Sequence, residues 1–239
     1  MRTSICGLIS IVLLVCGYSS TAGELVITRD KRVDDQKEVL NVLSSLQHPK
    51  TGTIVEDPGD KGKKVLRIRG KDVRTAIDFE PTYSESTNGL IAFILYSSNA
   101  PPTHLAEVGA DGRVNTRLGE LWISRGNVPP ERVSPCSMHA RNPCISPDGR
   151  YIAYTGCRAD ANGFLGKESV FLTDLSNPQS APHVLATTQD NDGTACPLAW
   201  SRSATLSIFV SDGPDGAKSR IETLRVTYGS GQVGSDREK

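Results

Sequence analysis

The chain has 239 residues, 27 basic and 27 acidic side chains, a formal charge of zero and few aromatic residues. That length suits one all-β domain or two small ones and is long enough to bury a core. A balanced charge argues against nucleic-acid or lipid-surface partners. The local run of cations at Lys61, Lys63, Lys64, Arg67, Arg69, Lys71 and Arg74 reads as the outward side chains of an alternating strand.

At the N-terminus Arg2 precedes an apolar run, Ile5 to Val15, and the small residues Ser20, Thr21 and Ala22 follow. This is the layout of a secretory signal peptide over 1–22, with cleavage expected after Ala22. The run is shorter than the roughly 20 residues of a membrane span, so no span is expected after signal removal. The expected location is periplasmic or secreted. Leu13-Leu14-Val15-Cys16 resembles a bacterial lipobox with Val15 in place of a small residue, so a lipid-anchored form is the alternative. Removal of Cys6 and Cys16 leaves Cys136, Cys144, Cys157 and Cys196. An even set in an exported chain suggests disulfides, and the absence of a C-x-x-C pair argues against zinc.

After a short strand, Leu25 to Thr28, the stretch 34–46 carries acids in its first turn and apolar Val39, Leu40, Val42, Leu43 and Leu46 near one face. A short helix is expected there. Short β-like runs follow at 52–55, 64–68 and 73–79, so 23–77 reads as a strand and helix segment or a divergent blade. From residue 78 to 229 a repeat takes over, and 230–239 is a polar tail. Ser146-Pro147-Asp148-Gly149 is a turn, and Arg150-Tyr151-Ile152-Ala153-Tyr154 leaves it as a strand. Asn88 to Phe93 and Trp200 to Phe209 are degenerate copies. Each copy has a second matching strand, at 120–124, 169–173 and 220–224. Alignment of Phe93, Tyr154 and Phe209 spaces the copies 61 and 55 residues apart, the long period of a propeller or array.

The string Ser146-Pro147-Asp148-Gly149-Arg150-Tyr151-Ile152-Ala153-Tyr154, a loop, and Ser169-Val170-Phe171-Leu172-Thr173-Asp174-Leu175 together resemble the TolB-type WD40-like (PD40) β-propeller repeat. The resemblance implies an all-β, propeller-like array of antiparallel four-stranded blades, with three clear repeats and room for a fourth, divergent one. It also implies an exported binding scaffold, or the propeller domain of a peptidase. Such propellers normally close with more blades than three. A divergent blade, a partner or homo-oligomer covering the open edges, or descent from a longer relative would each account for the difference.

Threading the repeat through a blade places the long segments 99–119, 138–143, 158–167 and 188–195 on one face, as loops on a rigid scaffold. His139, Arg141, Arg158, Asp160, Asp190 and Asp192 are the polar binding candidates there. The same threading suggests bridges Cys136 to Cys144 and Cys157 to Cys196. No Gly-x-Ser-x-Gly, His-Glu-x-x-His, Walker or Gly-x-Gly-x-x-Gly motif occurs. Asp190-Asn191-Asp192-Gly193 and Asp212-Gly213-Pro214-Asp215-Gly216 read as turns, lacking the later acid of a calcium loop. His48, His104, His139 and His183 are scattered. The sequence therefore predicts a non-enzymatic module, without cofactor, metal or nucleic acid, that engages a protein or cell-envelope component. The alternative is a propeller related to a serine peptidase or to a diverged hydrolase or lyase.

Overall fold

The computed structural model describes residues 25–45, 50–56, 58–59, 61, 64–68, 71–73, 79–96, 100, 102–108, 114–126, 128–177, 180–213 and 218–228. The expected signal segment, Cys6, Cys16, His48, the polar tail and the side chain of His104 lie outside the described residues. In chain order the elements are β1 (Leu25–Val33), α1 (Gln36–Ser45), β2 (Lys50–Thr51), β3 (Thr53–Glu56), β4 (Lys64–Ile68), β5 (Lys71–Val73), β6 (Phe79–Glu85), β7 (Leu90–Leu95), β8 (Pro102–Val108), β9 (Val114–Arg117), β10 (Glu120–Arg125) and β11 (Glu131–Arg132). They continue as β12 (Met138–Ile145), β13 (Tyr151–Arg158), β14 (Ser169–Asp174), β15 (His183–Thr187), β16 (Thr194–Trp200), β17 (Thr205–Asp212) and β18 (Lys218–Tyr228).

The repeat is set by a serine at the start of each hairpin. Ser86, Ser146 and Ser201 donate their N–H to the carbonyls of Leu90, Tyr151 and Thr205, at 3.0, 2.9 and 2.8 Å. Their hydroxyls accept the N–H of the same three residues, at 3.1, 2.9 and 3.2 Å. A serine that closes both ends of its own turn fixes where the next strand begins. Leu90, Tyr151 and Thr205 are thus equivalent, and so are Phe93, Tyr154 and Ile208, three residues on. The alignment on Phe209 is one residue late. The middle serine loop spans five residues where the outer two span four, and a slip of one residue turns a side chain to the opposite face.

Three sheets carry the repeat, ordered β11-β10-β7-β6-β2, β12-β13-β14-β15 and β1-β18-β17-β16. All pairings within them are antiparallel. The first strand β12 adjoins both of the other first strands, β6 and β16. Ile145 N–H donates to Ser84 Oγ at 2.9 Å, and Trp200 Nε1 donates to the Cys144 carbonyl at 3.0 Å. The expected propeller arrangement of antiparallel blades is therefore present, with first strands innermost. A three-stranded sheet β3-β4-β5 and a hairpin β8-β9 complete the order.

Packing explains why β7 and β13 read as continuous apolar runs rather than alternating ones. Ile152 and Tyr154 face the first sheet, where they meet Ala92, Ile94, Leu121 and Ile123. Tyr151 and Ala153 face the third sheet, where they meet Leu206, Ile208, Val210 and Leu224. A strand covered on both faces has no use for a polar side chain on either. Each large residue so buried contributes roughly 2–3 kcal/mol.

The third sheet is completed by the front of the chain. β1 lies antiparallel along β18, from Leu25 opposite Tyr228 to Val33 opposite Ile221. α1 then folds over the far face of that sheet, where Val39, Val42 and Leu43 pack on Ile221, Leu198 and Phe209. The open edge and open face expected at this end are thus occupied from within the chain. Asp35 caps the helix, its Oδ1 accepting the Glu38 N–H at 2.9 Å.

Two expectations are corrected. Residues 138–143 belong to the innermost strand β12 rather than to a loop, because a bulge at Asn142 and Pro143, with Asn142 at φ 47°, lets the strand absorb an Asn-Pro pair. Cys136, Cys144, Cys157 and Cys196 are all free thiols in the structure. Cys136 is exposed and accepts from Arg132 at 2.7 Å, whereas Cys157 is buried beside the His139 carbonyl at 3.9 Å. Cys144 packs toward the third sheet.

Candidate functional site

On the second and third sheets the described segments after β13, before β16 and at the end of β17 are joined into a continuous rim. Arg158 ends β13 exposed to solvent. Asp160 Oδ1 then accepts the N–H groups of Asn162 and Phe164 at 2.8 and 2.9 Å, and Ala159 bridges Leu165. An aspartate that bonds its own backbone in this way makes a rigid tongue, which holds Phe164 out at 59% exposure.

The tongue is tied to the next segment. Lys167 Nζ donates to the Gln189 carbonyl, and Thr188 N–H donates to the Glu168 carbonyl at 2.9 Å. Gln189 N–H in turn donates to Asp212 Oδ1 at 2.6 Å, and Gly213 N–H to Asp190 Oδ1 at 3.3 Å. Asp192 stands exposed at the crest of this segment. Loops fastened at both ends to buried strands keep their side chains in place, which suits them for recognition.

Where the rim meets the front of the chain it opens into a cleft of about 330 Å³, lined by Arg32, Asp34, Gln36, Gln189, Asp212, Lys218, Ser219 and Arg220. Its floor is an ion-pair chain. Arg220 donates to Asp212 at 3.1 Å and to the buried Glu222 at 2.8 Å, and Arg29 reaches the other Glu222 oxygen at 2.7 Å. Gln36 Nε2 donates to the Ser219 carbonyl at 2.9 Å, which joins the helix to the wall. At the mouth Arg32 grips Asp34 at 2.9–3.0 Å. Hydrogen bonding to Arg32 holds the Asp34 carboxyl below its ordinary range, and Asp34 raises Arg32 in return.

The six sequence candidates divide into two groups. Arg158, Asp160, Asp190 and Asp192 lie exposed on the rim. His139 and Arg141 sit inside, on β12. His139 is 1% exposed, and its Nδ1 accepts the Gly119 N–H at 2.8 Å. Ala140 N–H donates to the Gly119 carbonyl at 2.8 Å, and a Cβ on Gly119 would stand 2.8 Å from the Ala140 oxygen. The pair fastens the first sheet to the second. Arg141 forms an ion pair with Glu168, whose other oxygen accepts the Ala195 N–H at 3.0 Å, fastening the second sheet to the third. Sequence reasoning missed the cleft. Its signal is the charge alternation of Arg29-Asp30-Lys31-Arg32 and Lys218-Ser219-Arg220.

Among the described residues no group of three or more His, Cys, Asp or Glu is placed to hold a metal ion, and no helix is long and apolar enough to cross a membrane.

No protein-family model matches the chain, and no curated protein matches it. Its solved neighbours include a β-propeller domain and TolB. The β-propeller domain of the Trilobed protease from Pyrococcus furiosus, which has an open velcro topology, is 13% identical, with 74% of this chain and 44% of that one covered and a TM-score of 0.29. TolB from Acinetobacter baumannii is 10% identical, with 73% and 56% covered and a TM-score of 0.29. The chain spans about half the length of these two proteins. Such likeness carries neither an activity nor a partner across to this chain.

Proposed function

We propose that the chain is an exported, non-enzymatic propeller module that binds a protein or cell-envelope component through the loop-bearing rim, with Arg158, Asp160, Asp190 and Asp192 in the contact surface. The observation that carries this reading is the continuity of the rim: the tongue at 158–167, the segment 188–193 and the end of β17 are hydrogen-bonded to one another in series. A surface ordered before binding loses little conformational entropy on contact. The opposite ends of the sheets carry short serine-closed turns, which offer less relief. The expected location is the periplasm or the exterior, reached through the signal segment at 1–22. The sheet β3-β4-β5 serves as a divergent fourth blade.

The test is site-specific photocrosslinking in envelope extract, with the crosslinker at Asp192 on the rim or at Arg202 on the opposite turns. A protein captured from Asp192 and absent from Arg202 supports the reading. Equal capture from both sites, or none from either, overturns it.

A further inference from the structure

We infer that the cleft between β1, α1 and β18 is a receptor for a carboxylate group on a peptide segment of the partner. This rests on the rim being the binding surface and specifies what one part of it recognises. The lining holds three cations, Arg32, Lys218 and Arg220, against two acids, Asp34 and Asp212, on a chain whose formal charge is zero. The distribution of partners within the cleft matters more than the count. Arg220 is saturated by Asp212 and Glu222, and Glu222 is also held by Arg29, so the buried acids are neutralised beneath the floor. They leave no net negative field to repel an incoming anion.

At the mouth Lys218 is exposed and makes no ion pair among the described residues. Arg32, which also lines the cleft, is paired with Asp34 across an exposed contact with side chains about half accessible. Exposed pairs of this kind are weak and exchange readily for a better-placed acceptor. A guanidinium and an ammonium lining one cleft suit a carboxylate, the guanidinium offering a fork and the ammonium a point charge. Asp190 is held away by the Gly213 N–H, and Asp192 lies outside the lining. The opening is small enough to admit an acidic side chain or a free chain end and too small for a folded surface.

The test uses the mature chain and fluorescein-labelled peptides read by anisotropy at low salt. One peptide is Gly-Ser-Glu-Glu-Ser-Gly with an amidated end, one has Gln for both Glu, and one is Gly-Ser-Gly-Ser with a free C-terminal carboxylate. Binding of either carboxylate peptide, weakened roughly fivefold or more by Lys218→Glu and left unchanged by Arg202→Glu on the opposite turns, supports the inference. The Glu and free-end arms tell a side chain from a terminus. Lys218 is exposed, so the variant should fold, and its urea midpoint checks this. Equal binding of the Gln peptide, or binding indifferent to Lys218→Glu, overturns it, as does no binding by any peptide. If the Asp192 crosslink still captures a partner while every peptide fails, the cleft assignment falls and the rim reading stands.

Discussion

Arg29, on the first described strand, lies 2.7 Å from the carboxylate of Glu222, on the last. Glu222 is 1% exposed and is also held by Arg220, whereas Arg29 is half in solvent. The two ends of this contact therefore differ in worth. Glu222→Ala strands the Arg220 guanidinium against a single acid in a buried setting and should cost about 3 kcal/mol. Arg29→Ala leaves Glu222 its second partner and should cost about 1 kcal/mol or less. Urea unfolding of the two variants measures both, and equal losses would contradict the asymmetry.

The turns of adjacent sheets are stacked. Asn88 Nδ2 donates to the Asp148 carbonyl at 3.0 Å and Thr87 N–H to the Pro147 carbonyl at 3.0 Å. Gly149, at φ +74°, has no room for a Cβ, which would stand 2.7 Å from Asn88 Nδ2. Gly149→Ala should cost about 2–3 kcal/mol, of which roughly 1–2 is the left-handed backbone and the rest the clash. In the Asn88→Ala background the clash is absent and only the backbone part should remain. A double-mutant cycle by thermal or urea unfolding reads the difference.

His139 is a fastening between sheets rather than a rim contact. His139→Phe keeps the volume but leaves the Gly119 N–H without its acceptor, at an expected cost of about 1–3 kcal/mol. Asp192→Ala should change stability by less than about 0.5 kcal/mol and should reduce partner capture. Chemical denaturation and crosslinking yield together separate the two roles.

Burial pushes the Cys144 thiol up to about 12, with the neighbouring Cys196 adding to the shift, and pushes Cys196 up to about 11. Burial likewise moves the Tyr154 phenol to about 12. Cys136 is exposed. A thiol reagent at pH 8 should label Cys136 before Cys144, Cys157 and Cys196, which it should reach only on unfolding. Because these folded-state values are raised, the unfolded chain loses the protons first. Stability is full below pH 9 and falls between about pH 9 and 12, by up to about 1.4 kcal/mol per pH unit for each group. Urea midpoints at pH 7, 9 and 10.5 check the sign, and Cys144→Ala should flatten the fall.

Much of the core was legible because its causes are local. The Ser146-Pro147-Asp148-Gly149 turn and the runs after Asn88 and Gly149 announce hairpins, and those strands form as read, covered on both faces in the case of β13. What escaped is whatever depends on pairing across the whole chain. The run Leu25 to Val33 carries Arg29, Asp30, Lys31 and Arg32, and nothing in its periodicity points to a partner strand some 200 residues later. Residues 138–143 read as a loop because the repeat, threaded through a blade, places them before an innermost strand. His139 accepts from Gly119 beside the first sheet and Arg141 pairs with Glu168 just before β14 in its own sheet, contacts that only the folded arrangement supplies. The candidate site divides along the same line: its exposed rim residues are legible and its cleft, assembled from segments around residues 32–36, 189, 212 and 218–220, is not.

The helix laid across the outer side of the third sheet also limits how this architecture can grow. A further hairpin copied in tandem after β18 would find Phe209 and Ile221 already shielded by Val39, Val42 and Leu43, with no bare surface on which to dock. Enlargement by duplication at that end would first have to displace α1.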